Sequence, residues 1–439
     1  MMPKLTNEPG AIEVAAQIRS GALTPIEATD AAIARIEALD GPINAVVVRD
    51  FERARGAARA LGDIGPQTDQ PLFGVPMTVK ESFDVAGLPT CWGLSDHSGT
   101  IAKVDSVVVQ RLKRAGAVIL GKTNVPPSLG DWQATNPVYG RTVNPHDPAR
   151  TPGGSSGGSA AALATGMVAA EYGSDIGGSI RIPAHFSGAW GHKTTWGVVT
   201  SKGQEFPGTD GHDVALGVVG PLARSGEDLA LLLEVTLDRP LVLTAKPLAE
   251  ARFFYLARHP LCPVADEVRE PIEAAVAAIE QEGGRVDRHS DLLPDLAKLH
   301  AQYMRMLQIA LMRGAPGPDG QVASAAQWFD LLDAQHHAQR AWAALFEVYD
   351  FVLTAPAAIP AFPHDEREMP DRVWYVAGEP HRAEAVLAYA GMAVFAGLPA
   401  TVLPVGAAGH LPVGLQVIGD RFRDRDCIAI ATAIGALLA

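Results

Sequence analysis

Two serines stand among glycines in one short stretch of the chain: Ser155 follows Gly153-Gly154, and Ser179 follows Gly177-Gly178. Glycine beside serine lets the backbone come close to a bound group and lets neighbouring amide N–H groups converge on one point. Those are the parts of a serine nucleophile with its own oxyanion site. A flexible Gly/Ser connector has a similar composition. This run, however, passes at once into Ala160-Ala161-Ala162, so the segment reads as a helix that leads into an extended strand.

Other glycine motifs fit less well. The Gly153–Gly158 spacing is that of a phosphate loop, but Ser159 stands where that loop requires lysine. Gly154, Ser156 and Gly158 satisfy the nucleophile-elbow pattern, which needs a strand just before its serine. Pro145, Pro148 and Pro152 precede it here and exclude a central strand. No His-Glu-x-x-His pattern occurs, and the neighbours His336 and His337 point to different helix faces, so no metal site is expected.

The elements that must carry these serines read as alternating helix and strand, an α/β arrangement with a largely buried sheet. Thr24-Pro25-Ile26-Glu27 is a helix start, with a threonine cap, proline at the first position and glutamate at the third. A second helix is expected over Phe51–Leu61. A strand is expected within Phe73–Val85 and another over Ala117–Leu120, joined by a helix capped by Asp105. Val125–Pro152 reads as a long loop, ordered by Trp132 and Tyr139. Further on, helices are expected from Ser225 to Leu237 and from Asp266 to Glu282, and Leu292–Phe346 is helix-rich. Strands are expected at Arg252–Leu256, Phe351–Leu353, Ala400–Leu403 and Val413–Ile418, followed by a helix from Arg425.

The bulk composition narrows the function classes. With 47% hydrophobic and 19% charged residues, the 439-residue chain can build a packed core. A formal net charge of −13 argues against a nucleic-acid or anionic-membrane partner. Three scattered cysteines, Cys91, Cys262 and Cys427, suit a reducing compartment, and Cys91 reads as small buried filler. Met1–Gly10 has no apolar leader and no run of about 18 apolar residues is present. A cytoplasmic protein without membrane spans is expected.

Residues 74–90 and 153–183 resemble the two hallmark segments of the amidase signature family. The resemblance continues through Gly121-Lys122-Thr123-Asn124, Tyr139-Gly140, Asn144-Pro145, Gly220-Pro221-Leu222-Ala223-Arg224, Gly397-Leu398-Pro399-Ala400 and Leu411-Pro412-Val413-Gly414-Leu415-Gln416. One departure is Gly191-His192-Lys193-Thr194-Thr195, where the family commonly has proline in place of Thr194.

The resemblance implies a single amidase domain over residues 1–439, with a mixed twisted sheet covered by helices on both faces. N-terminal helices would fill about 1–65, the catalytic core about 66–240, and a helical and irregular cap over the substrate pocket about 290–380. It implies a Ser–cisSer–Lys triad of nucleophile Ser179, bridging Ser155 and base Lys80, with a cis peptide at Gly154–Ser155. It places the oxyanion hole at the N–H groups of Ile176, Gly177, Gly178 and Ser179, with Ser156, Asp175 and Arg181 in support. By the same resemblance Leu129, Gly130 and Asp131 border the scissile group. Trp132, Tyr303, Met304 and Trp328 are candidate apolar walls for a small or aryl acyl group.

The chemistry follows from the residue types. A serine hydroxyl needs a base, and lysine serves only when burial keeps it neutral. Val75, Met77, Val79 and Phe83 around Lys80 supply such a setting. Hydrolysis of a carboxylic amide is therefore expected, with no cofactor and no metal. Carbamates and esters are open to the same acyl chemistry. A glutamine-dependent amidotransferase subunit is a further reading, against which the acidic charge counts. The expected partner is a small-molecule amide, carbamate or ester, and a homodimer is left open.

Overall fold

The computed structural model describes residues 6–207, 209, 211, 213–244, 246–317 and 320–439. Met1–Leu5, part of the segment read as lacking an apolar leader, and residues 318 and 319 of the expected cap lie outside the described residues.

The centre is an eight-stranded mixed sheet. Its spatial order is Arg285–Asp287, Arg252–Leu256, Phe351–Thr354, Leu411–Ile418, Ala400–Ala408, Trp190–Lys193, Val218–Ala223 and Glu171–Asp175. The first three strands are parallel to one another and the remaining pairs are antiparallel. The middle is a hairpin, with Ala400 opposite Ile418 and Ala408 opposite Leu411. Side chains alternate faces along it. Val402 reaches toward Gly414 and His185 of the helix Arg181–Ser187. Leu403, one residue on, reaches toward Gly435 of the helix Asp424–Leu438. Helices thus cover both faces, which explains why the hairpin strands are buried through Val402, Leu403, Val413, Leu415 and Val417.

A second sheet of three strands has the order Val46–Arg49, Val118–Thr123 and Pro76–Lys80. The strand expected within Phe73–Val85 is limited to Pro76–Lys80, because Gly74 sits at a φ of +75° before it and a turn from Lys80 to Phe83 follows it. Pro76–Lys80 and Glu171–Asp175 are the edge strands of their two sheets and are joined through side chains: Thr78 donates to Glu171, and Lys80 to Ser174. Thr78 and Lys80 share one face of their strand, as a period of two requires.

Most expected helices are present. Thr24 and Glu27 form a reciprocal capping box on Pro25–Leu39. The cap expected from Asp105 is instead provided by Ser106, whose hydroxyl accepts the Val109 N–H. The Asp105 carboxylate is committed to the Ala86 N–H and the Lys113 ammonium. The helix-rich stretch after Leu292 resolves into Leu296–Met312 and Ala325–Phe346, the second with a Ser324/Gln327 capping box. The long loop after Val125 is tied down by Asn124, which donates to the carbonyls of Ala134 and Gly140, and by Asn136, which bonds Asn124 and Val125.

Candidate active site

Lys80 is fully buried at the end of its strand. Its amine lies 2.6 Å from Ser155 Oγ and 2.9 Å from Ser174 Oγ. Burial pushes its pKa down to about 7, against the opposing pull of Asp175. The adjacent Glu81 is turned elsewhere and accepts the N–H groups of Cys91 and Trp92. Cys91 is buried beside it, as expected of filler, with its thiol 3.4 Å from the Tyr139 hydroxyl.

Ser155 follows a cis peptide bond at Gly154–Ser155. A side chain at Gly154 would meet the carbonyl oxygens of Gln133 and Asp131 at 2.3 and 2.4 Å, so only glycine lets the chain pass there. Ser156 then opens the buried helix Gly157–Ala164. Its N–H donates to the Ser179 carbonyl at 3.1 Å, and its hydroxyl lies 3.4 Å from the Ser174 carbonyl. These bonds staple the first serine stretch to the second.

The turn from Asp175 to Arg181 is held by one carboxylate. Asp175 accepts the N–H groups of Gly178 and Ile180 at 2.9 and 3.1 Å and two guanidinium bonds from Arg181 at 3.0 and 2.8 Å. Burial alone would raise the Asp175 pKa, but the Arg181 charge and hydrogen bonds bring it to about 2. Arg181 also reaches the carbonyl of Ala390 and the side chain of Gln416, so it ties the turn to the sheet. On the other side of the turn, the Ile176 carbonyl accepts the Tyr303 hydroxyl at 2.9 Å and the Gly177 carbonyl accepts the Trp132 indole N–H at 2.9 Å. Among the described residues, the N–H groups of Ile176, Gly177 and Ser179 have no protein acceptor. The Gly178 N–H differs from the other members of the expected four, because Asp175 holds it.

Ser155, Ser179, Ile176 and Gly177 face an open cavity of about 180 Å³. Leu129, Gly130, Asp131 and Trp132 line it. Tyr303, Met304 and Trp328 do not. Residues 303, 307 and 311 form one stripe of the helix Leu296–Met312, and the stripe meets the cavity only at Leu307 and Leu311. Tyr303, at its inner end, is buried behind Gly177, while Met304 and Trp328 pack against the core. The i, i+4 spacing from Tyr303 was the sequence signal for the two leucines. Ser174 and Gln204 were missed as well; Ser174 sits on the strand that leads to Ser179.

The cavity lining holds no cationic side chain among the described residues. Of its carboxylates, Asp131 is paired with Arg372 at 2.5 and 2.7 Å, and Asp175 with Arg181. Glu205 is shifted upward by burial. At the family departure, the Thr194 hydroxyl donates to the Val219 carbonyl, and Lys193 is buried with its amine on the carbonyls of Thr194 and Leu398.

Residues 27–306 and 296–428 match the family profile described as Amidase. The indoleacetamide hydrolase of Bradyrhizobium diazoefficiens is 31% identical over 470 residues, covering 97% of this chain and 85% of that protein. Fatty-acid amide hydrolase 2 of Homo sapiens is 31% identical over 486 residues, covering 98% of this chain and 90% of that protein. A solved structure described as an amidase superposes with a TM-score of 0.84 at 26% identity, covering 98% of this chain and 100% of the other. No helix among the described residues is long and apolar enough to cross a membrane. Matches that run through both serine segments and across nearly the whole chain place it in the amidase signature family, and it is a hydrolase acting on C–N bonds.

Proposed function

We propose that the chain cleaves the C–N bond of a small or aryl, otherwise apolar, carboxylic amide through a serine acyl-enzyme. The carrying observation is the contact of 2.6 Å between a fully buried Lys80 amine and Ser155, on the wall of a cavity that also exposes Ser179. Neutral Lys80 takes the Ser155 proton as Ser155 takes that of Ser179, and Ser179 Oγ bonds to the carbonyl carbon. The carbonyl π pair moves to oxygen, where the N–H groups of Ile176, Gly177 and Ser179 can receive it. Collapse breaks the C–N bond, and the proton returns through Ser155 to the leaving nitrogen. Water, deprotonated along the same relay, then releases the carboxylic acid and restores Ser179.

The cavity's chemistry supports the substrate class. Leu307, Leu311, Leu387, Met369, Trp92 and Trp132 suit an apolar acyl or aryl group. Glutamine would bring an α-carboxylate, and the described lining offers it no cation. The same relay could act on a carbamate or an ester.

The test combines Ser179→Ala with a substrate screen. The variant is expected to lose turnover and covalent labelling by a sulfonyl fluoride; retained activity defeats the assignment. Wild type is expected to hydrolyse anilides and apolar amides faster than glutamine, carbamates or esters. Its kcat/KM should rise with pH through about 7 and then level off, because only unprotonated Lys80 is a base.

A further inference from the structure

Ser174 and Gln204 form a branch of the Lys80 cluster that the acyl chemistry does not use. Gln204 comes from the turn that borders the cavity after the strand Trp190–Lys193. The turn is anchored from below: the Asp84 N–H donates to the Gly203 carbonyl at 2.8 Å and the Val107 N–H to the Lys202 carbonyl at 3.0 Å. Gly203 has a φ of +86°, and a side chain there would meet Ser106 Cα at 2.5 Å. The Gln204 side chain is 8% exposed and its Nε2 donates to Ser82 Oγ at 3.1 Å and to Ser174 Oγ at 3.2 Å. Ser174 Oγ is the second neighbour of the Lys80 amine, at 2.9 Å.

We propose that Gln204 is a positioning residue that acts through Ser174 to keep the Lys80 amine uncharged and directed at Ser155. The proposal rests on the reading of Lys80 as the base. A protonated amine has three N–H groups to place, whereas a neutral amine has two and keeps a lone pair for the Ser155 proton. Gln204 spends part of the acceptor capacity of Ser174 and turns the positive end of its amide dipole toward Lys80. Both effects weaken the ammonium form. The titratable groups facing this branch on the Lys80 side are Asp175, paired with Arg181, and the buried Glu171, held by Thr78 on the Lys80 face and with its pKa raised to about 7. On the Gln204 side they are Glu205, with Asp84 and Asp213 near it.

The experiment measures kcat/KM from pH 5 to 9.5 for wild type, Gln204→Glu and Gln204→Met. A Glu205→Gln background keeps the ionisation of Glu205 out of the profiles. In Gln204→Glu, a carboxylate replaces the amide donor, and the acid limb should move up by about one pH unit. At pH 7 this lowers kcat/KM about five-fold, while the plateau near pH 9 stays at the wild-type level. Gln204→Met should move the limb the same way by less, with KM changed less than kcat at pH 7. Labelling by a sulfonyl fluoride at pH 9 confirms that each variant is folded. An unmoved limb in a folded variant overturns the proposal, and so does a loss that is equal at every pH. If wild type shows no acid limb at all, it is the reading of Lys80 as base that fails; if that limb is present and unmoved, only the role of Gln204 falls.

Discussion

Two walls of one cavity are built to different standards. The wall from Thr151 to Arg181 is almost wholly buried, and its turn is held by Asp175, Arg181, Trp132 and Tyr303 together. The facing wall comes from the turn around Gln204 and from the end of the helix Leu296–Met312, where Leu311 is 57% exposed. The first wall is cross-tied by several buried hydrogen bonds, so its geometry is fixed before any substrate arrives. The second is mixed: its turn is anchored at Lys202, Gly203 and Gln204, while the leucines at the helix end can change without disturbing the first. Reaction chemistry belongs on a wall of the first kind, and substrate choice on one of the second.

Breaking the first wall should therefore cost both stability and rate. Arg181→Leu leaves the Asp175 carboxylate buried without its cation, and the expected loss is about 3–5 kcal/mol in a denaturant titration. A loss below about 1 kcal/mol would mean that the turn is not held as described. Trp132→Phe keeps the ring but removes the N–H on the Gly177 carbonyl. Since a typical hydrogen bond is worth about 1 kcal/mol, kcat should fall roughly five- to tenfold, with KM little changed. An equal kcat would show that the carbonyl needs no tether. The facing wall should respond least: Leu311→Ala is expected to raise KM about threefold for long apolar amides, to leave short ones unaffected, and to keep the melting temperature. A collapse in kcat there would erase the distinction between the walls.

Much of the first wall was legible in the sequence because its signals are local. Glycine is needed wherever backbone passes close to backbone, so Gly154 beside the carbonyls of Asp131 and Gln133 leaves a mark in the chain itself. The Thr24 capping box is local too. The second wall was read less well. Tyr303, Met304 and Trp328 are large and apolar, but which face of a helix meets a cavity depends on its rotation against the core. Asp105 failed as a cap for a related reason: Ala86 and Lys113, brought to it by the fold, compete for its carboxylate. Gln204 carried no signal, because its partners Ser82 and Ser174 are far from it in the chain.

By itself, the sequence determined which residue types were available: two serines with glycines that let the backbone close around them, and a lysine in an apolar strand. It also determined the elements that carry them, since capping, alternation and glycine conformation act within a few residues. The tertiary structure alone decided that Pro76–Lys80 and Glu171–Asp175 should be edge strands meeting side by side. That seam removes Lys80 from water and lays its amine against Ser155 and Ser174. Burial is a property of the whole packed molecule, and burial is what pushes the lysine pKa down to about 7.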